Sequence, residues 1–495
     1  MGSKCDHSDA REDVAKSYAS PLSPVWSLEI MKKVAVRNMG CKLNTHEGEV
    51  IKQLLKDEFT LVPWTAQADY YVLNTCSVTS RADSRARNYI RSAKRRNPES
   101  RVLVTGCYAQ THSDDIAGMP EVTAVIGNLA KETEIPSLID RLESGDPFDK
   151  VSVSNIWSSD TLDVPVIEAY PGLARPYVKI QDGCNEICSF CKIPQARGRN
   201  RSQPLDRIVD QIERFASAGF TEVVFAGVHM GCYGEDLDPE TGLEDLLRNV
   251  LAIDPKLRVR LSSIEPNHTT YELLDYFESE PRVCRHFHLP MQSGQDEILA
   301  RMRRRYTSSH YREKVLGLVE RMPHAAVGAD VIIGFPGETA EQFRETCDFI
   351  ADLPVSYLHV FPYSQRDKTA AAKMPDQVDG LEKARRSQIL RELSDKKWKA
   401  FRQGQLGRSL EGTVIGMVQE SVPGFDRSTW SRVLTTNYID VLIPDSNLER
   451  SKPVTIRADQ LTDDGALGTL LEGASSLRPK VVAMRDENAT TLSPA

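Results

Sequence analysis

Asp182-Gly-Cys184-Asn-Glu-Ile-Cys188-Ser-Phe-Cys191 follows a strand-like run, Tyr177–Gln181, and its reading decides the fold. Cys-x3-Cys-x2-Cys is a poor zinc site, because zinc wants four ligands and no fourth lies nearby. The spacing suits a [4Fe–4S] cube with three irons held by thiolates and the fourth left open. An open iron can bind a small molecule. The plain alternatives are three core cysteines clustered by chance, or a zinc or redox loop.

Outward from this loop, residues 175–365 repeat a strand–helix alternation six times. Candidate strands are Tyr177–Gln181, Glu222–Ala226, Arg258–Ser262, His286–Pro290, Asp330–Ile333 and Tyr357–Phe361. Amphipathic segments such as Asp206–Ala218 and Ala340–Asp352 lie between them. This is a (β/α)6 pattern, a partial barrel. Each strand is followed by a polar or Gly-rich signature: Cys184–Cys191, Gly227–Gly231, Ser263–Pro266, Gln292–Gly294, Gly334–Glu338 and Pro362–Ser364. Active sites of α/β barrels are built at the strand C-termini, so the six signatures are expected at one pocket mouth.

Residues 33–150 read as a second α/β unit, a doubly wound parallel sheet. Three of its strand-like runs end in a cysteine: Val34–Cys41, Tyr70–Cys76 and Val102–Cys107. Groups just past strand C-termini converge on one edge of such a sheet. Cys41, Cys76 and Cys107, 35 and 31 residues apart, are thus candidates for a second metal site. Three ordinary buried cysteines are the alternative, since Cys is often buried.

The rest is divided by composition. Residues 1–32 read as a flexible tail, 151–174 as a linker, 175–380 as the barrel and 381–404 as a charged connecting helix. Residues 405–466 carry short β-rich runs, Leu410–Ile415 and Tyr438–Ile443 among them, expected to form a small β-barrel. Residues 467–495 read as a second tail. The expected fold class is α/β throughout, with this β-barrel appended.

The chain has 495 residues, 40% hydrophobic and 27% charged, as a globular protein does. No apolar run approaches the roughly 20 residues of a membrane span. Ten cysteines without a secretory signal fit reduced thiols in the cytoplasm, some of them metal ligands. Cys5, Cys232, Cys284 and Cys347 have no evident role. The net charge of −8 argues against a uniformly basic coat. Basic residues nonetheless cluster three times: Arg81, Arg85, Arg87, Arg91, Lys94, Arg95 and Arg96; then Arg197, Arg199, Arg201 and Arg207; then Arg301, Arg303, Arg304 and Arg305. Flanking cysteine motifs, they read as a local phosphate-binding surface rather than plain solvated faces.

The Cys184–Cys191 loop, with Phe190 before its last cysteine, resembles the radical S-adenosylmethionine (SAM) superfamily. The order of a three-cysteine α/β domain, such a barrel and a small β-barrel resembles the methylthiotransferase family over residues 33–465. Gly40-Cys41-Lys-Leu-Asn44, Asn74-Thr-Cys76-Ser-Val-Thr79 and Gly106-Cys107-Tyr-Ala-Gln110 match the family's cysteine signatures, and Asp182 through Gly198 matches its radical SAM signature. Lys192 and Gln195 depart from it, standing where an apolar and a small or variable residue are more usual. Ala226–Gly231, Leu261–Pro266, His286–Gly294, Met302–Thr307 and His359–Ser364 resemble the branch acting on N6-threonylcarbamoyladenosine at position 37 of tRNA.

The resemblance implies two [4Fe–4S] clusters, one on Cys41, Cys76 and Cys107 and one on Cys184, Cys188 and Cys191. It implies SAM as methyl donor and as source of a 5′-deoxyadenosyl radical. The product would be 2-methylthio-N6-threonylcarbamoyladenosine. No further catalytic side chain is expected, because the cofactors supply the chemistry and the protein positions it. SAM contacts are expected from Phe190, Gly227, Ser263, Glu265 and Gln292, while His229, His286 and His288 are expected in structural roles. The β-barrel would be an RNA-binding TRAM domain. Expected partners are the tRNA anticodon stem-loop, a one-electron reductant and a sulfur source, for a monomer without membrane contact. Competing readings are isopentenyladenosine 37 of tRNA, an aspartate of a ribosomal protein, and a non-catalytic iron–sulfur RNA-binding protein.

Overall fold

The computed structural model of the protein describes residues 31–168, 170–237, 241–419, 429–444 and 448–473. The N-terminal tail lies almost wholly outside these residues, as does the C-terminal one from 474 onward.

Six parallel strands form the first sheet: β1 (Lys33–Asn38), β2 (Thr60–Leu61), β3 (Tyr70–Thr75), β4 (Arg101–Gly106), β5 (Ala124–Ile126) and β6 (Val151–Ser152). Their order is β2-β1-β3-β4-β5-β6. Strand periodicity splits β3 between two cores. Tyr71 and Leu73 pack with Ala86 and Ile90 of helix Ser80–Arg96. Tyr70 and Val72 pack with Ile51 of helix Lys42–Leu55 and Leu138 of helix Lys131–Ser144. The sheet order reverses at β1, and the crevice beyond the strand C-termini at such a switch point is where open α/β sheets bind ligands. The register pairs Asn38 with Asn74 and Thr75 with Gly106. Cys41, Cys76 and Cys107 therefore leave the sheet at one level.

The central unit contains β7 (Tyr177–Lys179), β8 (Gln181–Asp182), β9 (Arg201–Ser202), β10 (Glu222–Ala226), β11 (Arg258–Arg260), β12 (His286–His288), β13 (Ala326–Ile333) and β14 (Tyr357–Pro362). β7, β10 and β11 pair in parallel, as do β12, β13 and β14. Single bridges, Val259 to Val283 and Ser263 to His288, join the halves into a partial (β/α)6 barrel. The first expected strand is cut short at Lys179. Gln181 and Asp182 turn away as β8 and pair antiparallel with β9, and the Gln181 amide donates to Gly183 O and Asn200 Oδ1.

The expected linker is not a free tether. β6 adds its start to the first sheet, and Leu162, Val164, Ile167 and Tyr170 are buried in the barrel core. Two glutamines stand in for a neighbouring strand. Gln203 accepts from Val164 N, and Gln211 both accepts from Ile167 N and donates to Ile167 O.

Helix Gly380–Gln403 leads to a closed barrel of β15 (Ser409–Gln419), β16 (Thr429–Thr435), β17 (Asp440–Ile443), β18 (Pro453–Leu461) and β19 (Ala466–Gly473), in the order β15-β16-β17-β19-β18. The sequence reading ends this module at 466, one strand early. β19 pairs with both β17 and β18, and without it two edges would stay open. The seam between the two barrels is polar and buried. Glu222 of β10 accepts from Arg260 Nε at 2.7 Å, Thr413 Oγ1 at 2.8 Å and Arg175 at 3.3 Å. The rest of the Arg260 fork donates to the carbonyls of Thr435 and Thr436.

Candidate active site between two cysteine triads

The loop triad is held by two glycines with positive φ. Gly183 has φ +72°, and a Cβ there would lie 1.8 Å from Arg199 O; Gly198 has φ +77°. Cys184 N donates to Gly198 O at 3.1 Å and Cys191 N to Cys188 O at 3.1 Å, closing the loop. Each sulfur accepts one N–H: Glu186 N to Cys184 at 3.4 Å, Arg304 Nη1 to Cys188 at 3.2 Å, and Ile193 N to Cys191 at 3.4 Å. Such donors favour thiolates, the form that binds iron. Burial pushes Cys184 up to about 11 and Cys191 up to about 12, and the neighbouring sulfurs add to both. Three sulfurs with a donor each, and no fourth protein ligand among the described residues, fit a cube with an open iron.

The strand-end triad depends on glycines of a different kind. Gly40, at φ +91°, leaves space that a Cβ would take from Cys76 Sγ at 2.7 Å. Gly106, at φ +95°, would bring a Cβ within 2.4 Å of Thr75 O. Burial, then the charges of Cys107 and Cys41, push Cys76 up to about 12. Asn128 Nδ2 lies 3.7 Å from Cys107 Sγ and also donates to Ala196 O at 2.6 Å, tying the triad to the barrel.

Beneath this triad runs a buried charge network that spans the two domains. Glu47 of helix Lys42–Leu55 accepts from Arg197 Nη1 at 2.9 Å and Lys179 Nζ at 2.9 Å, and pairs with Lys131. Arg197 also bonds Asp182 at 2.9 Å and Asn44 Oδ1 at 2.5 Å. Burial alone would raise Glu47, but Arg197, Lys131 and Lys179 hold its carboxyl well below the usual range. Glu47, Lys131 and Lys179 have no place in the sequence reading, Asn44 and Asp182 stand there only as ends of signatures, and Arg197 is assigned to a phosphate-binding cluster. Arg197 and Arg201 are buried, and Arg207 pairs with Asp163. In the third cluster Arg304 serves Cys188 and Glu265, and Arg305 pairs with Glu186. Arg197, Arg201 and Arg304 are thus spent on internal groups, while Arg199, Arg303 and Arg305 are exposed. In the first cluster Arg81, Arg85, Arg91 and Arg95 are exposed along one helix, Ser80–Arg96.

A cavity of about 310 Å³ lies between the triads, with Cys107 on one wall and Cys191 on the other. Phe190 and Gln292, both expected site residues, line it. Gln292 holds φ 63°, a left-handed conformation rare outside glycine and one that clusters at functional sites. Gly227, Ser263 and Glu265 are not part of the lining. Gly227 packs beneath Met230 and Gln181, Ser263 bridges to His288, and Glu265 pairs with Arg304 behind Cys188. Of the six strand-end signatures, those of Cys184–Cys191, Gln292–Gly294 and Pro362–Ser364 reach the cavity. Gly334–Glu338 instead fixes the connecting helix through a buried Glu338–Arg386 pair.

Polar groups in the cavity wall went unnoticed in the sequence. Asp330 accepts from His288 Nε2 at 2.9 Å and His359 Nδ1 at 3.2 Å. Lys192 and Arg366 bring two cations. Lys192 pairs with Asp367 and lies 3.3 Å from His112, while Arg366 bonds Asp83 at 2.7 Å and Ser77 at 2.9 Å and keeps Nε without a partner. The departure of Lys192 from the family pattern was the one signal that could have found this side of the pocket. No helix among the described residues is long and apolar enough to cross a membrane.

Comparison with known proteins agrees with this architecture. Residues 33–127 match an uncharacterized protein family, UPF0004, and residues 178–350 match the radical SAM superfamily. Over 69% of the chain the fold resembles TsrM from Kitasatospora setae, a radical SAM methyltransferase, with TM-score 0.51, 15% identity and 77% of that chain covered. The threonylcarbamoyladenosine tRNA methylthiotransferase MtaB of Aquifex aeolicus is 38% identical over 83% of this chain and 96% of its own. MtaB of Bacillus subtilis is 40% identical over 75% of this chain and 82% of its own. The tRNA-2-methylthio-N(6)-dimethylallyladenosine synthase of Syntrophus aciditrophicus is 34% identical over 74% and 79%. With a cysteine from each triad lining one cavity, and with relatives 38% and 40% identical over 96% and 82% of their own length, the chain belongs to the methylthiotransferase family of radical SAM enzymes.

Proposed function

We propose that this enzyme methylthiolates C2 of N6-threonylcarbamoyladenosine at position 37 of tRNA. One [4Fe–4S] cluster sits on Cys184, Cys188 and Cys191 and a second on Cys41, Cys76 and Cys107. When bound, the clusters and SAM supply the carbon radical that an unactivated aromatic C–H requires and the methylthio group that replaces the hydrogen. The observation that carries the reading is the single cavity touching both Cys107 and Cys191.

The chain's own residues orient the reactants. Phe190 and the left-handed Gln292 border SAM. The base enters between Thr79 and Tyr363, and Lys192 and Arg366 face the carboxylate of its threonyl group. An isopentenyl group offers no charge for these cations, which favours the threonylcarbamoyl substrate. Gly227, Ser263 and Glu265 support the loop triad from behind. Helix Ser80–Arg96 starts at the cavity mouth, and its exposed arginines take anticodon-stem phosphates, with the C-terminal barrel as a second RNA contact. A one-electron reductant and a sulfur source complete the partners.

Mass spectrometry of nucleosides from total tRNA, in cells with and without the gene, tests the reading. Loss of 2-methylthio-N6-threonylcarbamoyladenosine with accumulation of its precursor is the expected result. Loss of the isopentenyl analogue would move the substrate. No change in either would point to the ribosomal-protein aspartate.

A further inference from the structure

Beside the loop triad, outside the cavity lining, His229, Cys232 and His268 come together with no part in the chemistry above. His229 and Cys232 lie on the loop after β10, and His268 on the loop after the neighbouring β11. One ligand atom from each of the three lies within 4.8 Å of the others. Cys232 Sγ is 3.5 Å from His229 Nδ1 and 3.4 Å from His268 Nε2, and His229 Nε2 is 3.2 Å from His268 Nδ1. Tetrahedral zinc bonds of about 2.3 Å to sulfur and 2.0–2.1 Å to nitrogen imply edges of about 3.5 and 3.3 Å. The observed sulfur–nitrogen contacts have that length; the 3.2 Å contact joins the other nitrogen of each ring, and the two nitrogens that face the sulfur lie within 4.8 Å of each other.

Glu235 stands at the edge of the group, its Oε1 3.7 Å from His268 Nε2. Its side chain is 53% exposed, leaving a route in from solvent, while Cys232 and His229 are buried. The loop is built around this cluster. A Cβ on Gly231 would lie 2.3 Å from His268 Cβ, so glycine there makes room for the second imidazole. Gln181 Oε1 accepts from His229 N at 2.8 Å and fixes the loop from below.

We propose that His229, Cys232 and His268 hold a mononuclear zinc ion, with water in the fourth position. One thiolate and two imidazoles are donors suited to zinc. The metal staples the β10 and β11 loops together. His229 Nδ1 also faces Cys184 Sγ at 3.7 Å, so the staple braces the cysteine loop without binding the cube.

The test uses the full-length protein with both clusters reconstituted anaerobically, given Zn²⁺ and then desalted. About one zinc per chain is expected beside the full iron content, with one sulfur and three nitrogen or oxygen neighbours by zinc X-ray absorption. Cys232→Ser and His268→Gln are each expected to lose the zinc and keep the iron. Zinc at trace level in the wild type, an all-sulfur coordination shell, or equal retention by Cys232→Ser would overturn the proposal. The absorption measurement needs no variant, so misfolding of either substitution does not shield the proposal.

Discussion

Cys184, Cys188 and Cys191 lie within eight residues and need one loop, whereas Cys41, Cys76 and Cys107 lie 35 and 31 residues apart and need a sheet. The loop triad is shaped locally, by two glycines and two backbone bonds. The strand-end triad is shaped by the register of three strands and by the Glu47–Arg197 network beneath it. A local site survives a loosened domain, while a site assembled across a fold does not. The strand-end site is therefore the more fragile of the two, and its stability is coupled to the seam with the barrel.

Removing the keystone of that seam should break the symmetry most. Arg197→Met leaves Glu47 and Asp182 buried beside each other's charge with fewer cations. Loss of one partner from a buried ion pair costs about 3–5 kcal/mol. The expected outcome is a chain with half the wild-type iron, its remaining cluster still reducible and able to cleave SAM. Iron analysis with electron paramagnetic resonance reads this directly. Equal loss of both clusters would show that the loop triad is not autonomous.

The opposite seam offers a control without cysteines of either triad. Glu222→Gln should cost about 3 kcal/mol, since Arg260 keeps its bonds to Thr435 and Thr436, and both clusters should remain. Burial alone would raise Glu222, but Arg260 and Arg175 hold it at about 2, below the ordinary 4.5. A depressed carboxyl contributes stability above pH 4.5 and loses it as the pH falls toward 2. Denaturant melts between pH 6 and 3 should show a shallower acid decline in Glu222→Gln than in the wild type. An identical acid limb would remove Glu222 from the seam's energetics.

Much of this contrast was legible in the sequence, for a physical reason. Cysteine spacing within a loop is a local property, and strand ends are marked by apolar runs, so both triads could be read without coordinates. The charge network could not. Glu47 and Arg197 are 150 positions apart, and nothing local distinguishes Arg197 from the exposed arginines of helix Ser80–Arg96. Asp330 begins a predicted strand, and only the tertiary fold sets it between His288 of β12 and His359 of β14 in the cavity wall. The missed strand β19 follows Asp463-Asp-Gly465, a turn signal that also reads as the start of a tail. Lys192 and Gln195 were visible as departures from a pattern, and both hold one segment: Lys192 pairs with Asp367 and Gln195 donates to Lys368 O.

A smaller effect separates the cavity from its walls. Lys192→Met keeps the bulk of the side chain and removes a cation facing the substrate. A hydrogen bond to a charged group is worth about 1.5–3 kcal/mol, so preference for threonylcarbamoylated over unmodified anticodon stem-loop should fall at least about tenfold. Competition binding of the two RNAs measures the ratio. Equal weakening of both would make Lys192 a phosphate contact rather than a reader of the base.

The smallest effect concerns how each triad's sulfurs are solvated. Arg304 donates to Cys188 at 3.2 Å with a full charge, whereas Asn128 offers Cys107 a neutral amide at 3.7 Å. Donors to cluster sulfurs stabilise the reduced, more negative state, and a charged donor does so more strongly. Arg304→Gln should therefore lower the midpoint potential of the loop cluster by roughly 60 mV, the equivalent of a tenfold change for one electron. Arg304→Lys, which keeps the charge but not the fork, should lose less. Asn128→Ala should shift the strand-end cluster less still, although Asn128 also holds Ala196 O and its loss loosens the seam. A redox titration followed by electron paramagnetic resonance distinguishes the clusters. A larger shift for Asn128→Ala than for Arg304→Gln would mean that packing at the seam, not charge at the sulfur, sets the potentials.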